Sequence, residues 1–91
     1  MPKIRVETHP REDRLADLGV YEWPIWEHEV GEFPWEYDDK EVCYVIQGEA
    51  IITPDEGDPV TITRSDLVSF PKGMKCTWKI ITTIRKYYMM G

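Results

Sequence analysis

From residue 41 onward the chain is a succession of short β-type runs separated by turn chemistry, and this succession restricts the fold more than any other feature. Glu41–Gln47 is rich in Val, Tyr and Ile, and Gly48 follows it. Glu49–Thr53 comes next, and Pro54-Asp55-Glu56-Gly57 then supplies a turn with a glycine free to take positive φ. Pro59–Thr63 returns, so the two runs predict a hairpin. Ser65-Asp66 precedes Leu67–Phe70, Pro71-Lys72-Gly73 ends that run, and Cys76–Thr82 and Ile84–Met90 complete the series. Short strands at regular spacing predict a β-sandwich or small barrel.

The first third of the chain is different. Ile4 and Val6 alternate with charged residues, which predicts an edge strand with one buried face. Arg11–Leu18 lies between Pro10 and Gly19 and predicts one or two helical turns. Tyr21–Trp35 holds three of the four tryptophans, and Pro24 and Pro34 forbid a continuous helix or a central strand there. It reads as an extended arm that packs Trp23, Ile25, Trp26 and Phe33 onto the domain, with an aromatic lid over a ligand site as the sharper alternative. His28, among Glu27, Glu29 and Glu32, reads as a solvated surface histidine.

Ninety-one residues form one domain, divisible into 1–34 (strand, helical turn, aromatic arm) and 35–91 (barrel strands). A chain this short buries roughly 60–65% of the surface its unfolded form exposes. The formal charge of −6 and the absence of clustered Lys and Arg argue against nucleic acid and against anionic membranes. No run of about 18 apolar residues could span a bilayer, and the N-terminus lacks the apolar core of a signal peptide. Two cysteines in such a chain read as thiols in a reducing compartment, so the expectation is a soluble cytoplasmic protein.

Two spacings resemble those of cupins. Glu41, six residues and Gly48 match the end of the first cupin motif. Ser65, five residues, Pro71, one residue, Gly73, two residues and Cys76 match the second. The resemblance covers Trp35–Ile80 and implies an all-β, single-domain, RmlC-like jelly-roll β-barrel. The Trp-rich arm and the ending Arg85–Met90 resemble the small ureidoglycine aminohydrolase-like branch. Metal-binding cupins carry histidines where this chain has Trp35, Tyr37 and Cys76, so of the usual ligand set only Glu41 remains. Ser65 stands where glycine is usual, and Ile80 where asparagine is usual.

Catalytic first-row metals want imidazole or several carboxylates converging at about 2 Å. Residues 41, 43 and 45 share one strand face, which leaves Glu41, Cys43 and Cys76 as the alternative donor set. The expectation is no tightly bound metal and no cofactor. Both cysteines read as buried, inert thiols. In the cupin register Glu41 points inward, where a carboxylate needs a hydrogen-bond partner; Tyr37, Trp78 or a backbone N–H are the candidates. A ligand pocket is expected around Trp35, Tyr37, Glu41, Cys43, Cys76 and Trp78, with Glu41 and Tyr37 as candidate acid/base residues. The leading function is a metal-free binding domain for a carbohydrate or small polar metabolite. An isomerase or aminohydrolase-like enzyme is the first alternative, and a structural protein with a filled barrel the second. Val42, Tyr44 and Ile46 make the other face of the same strand apolar, so the arm, a second subunit of a homodimer, or both should cover it.

Overall fold

The computed structural model describes residues 3–91. In chain order it contains β1 (Arg5–Thr8), α1 (Glu12–Leu18), a single 3-10 turn (Val20–Glu22), β2 (Ile25–His28), β3 (Gly31–Glu36), β4 (Glu41–Pro54), β5 (Val60–Thr63), β6 (Asp66–Phe70) and β7 (Lys75–Met90). The two long strands, β4 and β7, pair antiparallel along their whole length, from Glu41 opposite Met90 to Pro54 opposite Cys76. All other strands hang on this pair. The first half of β4 and the second half of β7 lie in the order β1-β6-β4-β7-β2. Their other halves are flanked by β5, on β4, and β3, on β7. The result is the all-β jelly roll that the sequence predicts.

The runs on either side of Gly48 are one strand, not two. The reason lies at the bend where the β4/β7 pair passes from one layer to the other. The register shifts between Val45 and Ala50, and Gly48 takes φ +91° there. A Cβ at Gly48 would lie 2.2 Å from the carbonyl oxygen of Thr83, so β7 crosses too closely for any side chain. The predicted hairpin forms as β4/β5, with Ile52 opposite Val60.

Between the layers lies a core that includes Val45, Ile52, Ile62, Phe70, Trp78 and Ile84, all nearly inaccessible to solvent. Glu41, Cys43 and Val45 are buried while Val42, Tyr44 and Ile46 are half-buried, as period two requires. The half-buried face is covered by the chain itself. Leu15 of α1, Val20 and Leu67 form a second cluster, on which Trp23, Val42, Tyr44 and Tyr87 pack. α1 stops at Gly19, whose φ of +73° is a left-handed C-cap. A second subunit is not needed to cover this part of the face.

The runs Cys76–Thr82 and Ile84–Met90 likewise form one strand, β7, and three further expectations change. β1 is exposed along its length, Val6 included, and only the preceding Ile4 packs partly on the core. β1 is four residues long and its one partner is β6, which leaves it little to bury against. The arm is not merely extended: it folds into β2 and β3, both paired with β7, and Trp26 and Phe33 pack inward while Ile25 stays exposed. Pro34 is tolerated within β3, whose strand neighbour is β7. His28 is half-buried rather than freely solvated. Its ring lies 5.4 Å from Trp26 and 4.9 Å from Phe33, and Nδ1 is 2.8 Å from the Glu29 carbonyl oxygen.

Candidate functional site

Glu41 opens β4 and is 6% exposed. Its partner is Lys86 of β7, a residue outside the six expected to line the pocket. Lys86 Nζ donates to Glu41 Oε2 at 2.5 Å, with both side chains buried. The backbone of Lys86 sits opposite Val45, so its long stem runs back along the sheet to reach the start of β4. The ammonium lies 4.7 Å from the Trp78 ring centroid, 5.0 Å from Trp26 and 5.8 Å from Phe70. Each of these faces offers negative quadrupole density to the cation. A carboxylate and three aromatic rings therefore compensate an ammonium that has lost its water.

Tyr37 and Trp78 bond to each other rather than to Glu41. The Trp78 indole N–H donates to the Tyr37 hydroxyl oxygen at 3.1 Å. The Tyr37 backbone is tied to the second motif at both ends: its N–H donates to the Met74 carbonyl at 3.0 Å, and its carbonyl accepts from the Gly73 N–H at 2.7 Å. Gly73 takes φ +84° to make this turn. Ser65 takes φ +75° at the place where cupins usually have glycine, so the backbone shape of the motif survives the substitution.

A cavity of about 260 Å³ opens above the pair, and Trp26, Trp35, Tyr37, Glu41, Trp78 and Lys86 are among the residues lining it. Trp35 and Met90 are half exposed and form its rim. Of the six expected pocket residues the structure brings together four, Trp35, Tyr37, Glu41 and Trp78. Cys43 and Cys76 are buried in the core beside the cavity and do not line it. A larger hollow of about 910 Å³ lies between the Pro54–Asp58 and Pro71–Lys75 loops, rimmed by exposed charges of both signs, and it lacks the buried pair that marks the first.

Burial dictates the protonation states here. Desolvation, then the nearby Glu41 charge, pushes the Tyr37 phenol far above its ordinary range. Desolvation also pushes the Cys43 thiol up to about 12 and the Cys76 thiol up to about 11. Neither cysteine is a thiolate at neutral pH, and both are free. Native protein at pH 8 is expected to resist iodoacetamide at both positions, with two adducts by mass once it is denatured. Because both thiols bind protons more tightly folded than unfolded, where 9.0 is the reference value, their contribution is complete below about pH 9. It is lost as pH rises through about 11 to 12. The alkaline loss of stability is therefore expected to be steeper in the wild type than in a Cys43→Ala/Cys76→Ala variant.

The residues at the cupin metal positions do not fit a first-row metal. Trp35 offers no donor lone pair, the Tyr37 and Cys76 groups are held protonated, and Glu41 is already bonded to an ammonium. Among the described residues no three His, Cys, Asp or Glu side chains converge on a common point. The cation that Glu41 holds is the chain's own.

A jelly roll with its acidic residue inside the barrel and its two motif loops joined at Tyr37 defines a cupin. More narrowly, the chain belongs to the EutQ-like cupin domain family, whose model matches residues 15–88. It is similar to a DUF861 family protein from Thermotoga maritima, with 42% identity over 98% of this chain and 100% of that one and a TM-score of 0.94. It is also similar to the EutQ protein of Clostridium difficile, at 30% identity over 70% of this chain and 50% of that one, with a TM-score of 0.64. A putative ethanolamine utilization protein Q of Salmonella typhimurium shares 25% identity over 70% of this chain and 51% of its own, again with a TM-score of 0.64. The match thus spans about half the length of each of the last two chains. No curated protein matches the chain.

Proposed function

We propose that this protein is a small-molecule binding cupin whose ligand enters the aromatic cavity and meets the Glu41–Lys86 pair on its floor. The observation that carries this reading is the cavity itself. A barrel kept only for structure would be filled at this point, whereas about 260 Å³ stands open beside the domain's buried ion pair. A small polar metabolite suits these walls, and the similar Salmonella typhimurium protein is described as a putative ethanolamine utilization protein. The ureidoglycine aminohydrolase-like branch is the finer placement in keeping with nitrogen-metabolite ligands.

An acid/base enzyme on the same site is the second reading, and it rests on Glu41 alone. The Tyr37 phenol is held too firmly protonated to serve as a base near neutral pH, and its oxygen is engaged by Trp78. If a turnover is found, a Glu41→Gln variant with unchanged rate removes Glu41 as its acid/base.

The test is a thermal-shift screen of sugars, amides, amines and carboxylic acids on the native protein. A true ligand at 100 times its Kd is expected to add about 2.7 kcal/mol of stability, with concentration-dependent change in tryptophan fluorescence. A screen that moves neither the Tm nor the fluorescence for any class contradicts a binding role.

A further inference from the structure

We infer that the cavity selects an uncharged, flat cyclic amide, one that presents a ring N–H beside a ring C=O to the Glu41–Lys86 pair. This inference rests on the binding role proposed above and narrows its ligand class.

Three observations lead to it. The first is charge. The two ionised groups on the cavity floor neutralise each other at 2.5 Å, so the floor carries no net charge to offset that of a ligand. An anion that accepts from a remaining Lys86 proton lies beside the Glu41 charge, and a cation that reaches Glu41 Oε1 lies beside the Lys86 charge. Either ion meets a like charge next to its partner, with little water to screen the repulsion.

The second is hydrogen-bonding capacity. Glu41 uses Oε2, which leaves Oε1 as an acceptor, and Lys86 spends one of its three ammonium protons on that bond. Acceptor and donor are adjacent because the two groups are in contact. A ligand satisfies both with a neighbouring donor and acceptor, the pattern along one edge of a cyclic amide.

The third is the wall. Trp26, Phe33, Trp35, Tyr37 and Trp78 present aromatic surface; the Trp78 N–H is already spent on the Tyr37 oxygen, which leaves these walls the Tyr37 O–H and the Trp26 and Trp35 N–H groups as donors. A monosaccharide carries hydroxyls around its whole perimeter and would find few partners for them here. A flat ring loses nothing against such walls, and the volume suits a single ring.

The discriminating changes are made in the ligand, so that no variant's failure to fold can obscure the result. Wild-type protein is titrated with uracil, fully N-methylated uracil, nicotinate, benzylamine and glucose, and the indole N–H signals of Trp26 and Trp78 are followed by NMR. Uracil is expected to shift both signals saturably, and N-methylation to weaken binding by about tenfold or more, because the donor to Glu41 is lost. Equal affinity for the methylated compound overturns the amide-edge assignment. Binding of glucose, nicotinate or benzylamine with uracil silent also overturns it, while leaving a binding pocket in place. Silence from all five compounds overturns it as well, and if the broad screen is equally silent the binding role falls with it.

Discussion

Replacing Lys86 with methionine is expected to lower the free energy of unfolding by about 3–5 kcal/mol, since Glu41 is then a buried charge with no partner. The methionine keeps much of the stem that packs on Trp78 and Trp26, so the loss reports the charge rather than a cavity. Restoring balance from the other side gives the opposite sign. A Glu41→Leu/Lys86→Met double variant is expected to recover most of the loss, because two apolar groups of similar volume need no desolvation. Urea unfolding of the two proteins beside wild type measures both effects. A single variant within about 1 kcal/mol of wild type is what a surface pair would give, and that outcome contradicts a buried one.

The second large effect is expected at Gly48. A Gly48→Ala chain carries a methyl group 2.2 Å from the Thr83 carbonyl oxygen, against backbone that no rotamer change can clear, and at a φ of +91°. The only relief is to separate β4 from β7, the pair on which every other strand hangs. A loss of about 4 kcal/mol or more is expected, in the range reserved for severe steric faults. Gly73→Ala is the matched control. Its φ of +84° is similar, but nothing lies within 4 Å of the added methyl group, so only the left-handed backbone penalty of about 1–2 kcal/mol applies. Thermal denaturation of both variants separates crowding from conformation, and equal losses would remove the crowding argument.

How much of this was legible in the sequence depends on the residue. The β runs and turns placed β5, β6 and the ends of the long strands closely, because period-two alternation and Pro/Gly punctuation act locally. The unity of β4 was not visible, since a glycine that ends a strand and one that lets two strands cross look alike in sequence. The difference lies in Thr83, thirty-five positions later. Glu41 could be placed inside the barrel from the cupin spacing, and Trp35, Tyr37 and Trp78 around it. Cys43 and Cys76 share that inward direction but end in packed core rather than at the cavity.

Lys86 was missed, although a signal existed. Counting by two from Cys76 passes the buried Trp78 and Ile80, the exposed Thr82 where the register shifts, and the buried Ile84, and arrives at Lys86. A lone ammonium on an apolar strand face requires a buried anion, and Glu41 was the inward carboxylate awaiting a partner. The adjacent Arg85 concealed this, because two consecutive basic residues look like a surface pair when they point to opposite faces of one strand. Arg85 does point outward, to Glu27 on the neighbouring β2. The local pattern was sufficient to place the lysine; the pairing needed the fold.

The site thus rests on one geometric statement: the Lys86 ammonium lies inside an aromatic enclosure against Glu41. NMR of protein labelled at lysine tests it without altering any residue. Rings at 4.7, 5.0 and 5.8 Å place the Lys86 ε-methylene protons well upfield of every other lysine, with NOEs to Trp26 and Trp78. If all the lysine ε-methylene signals instead cluster at the position of solvated side chains, with no NOE to either tryptophan, the enclosure and the site built on it are contradicted.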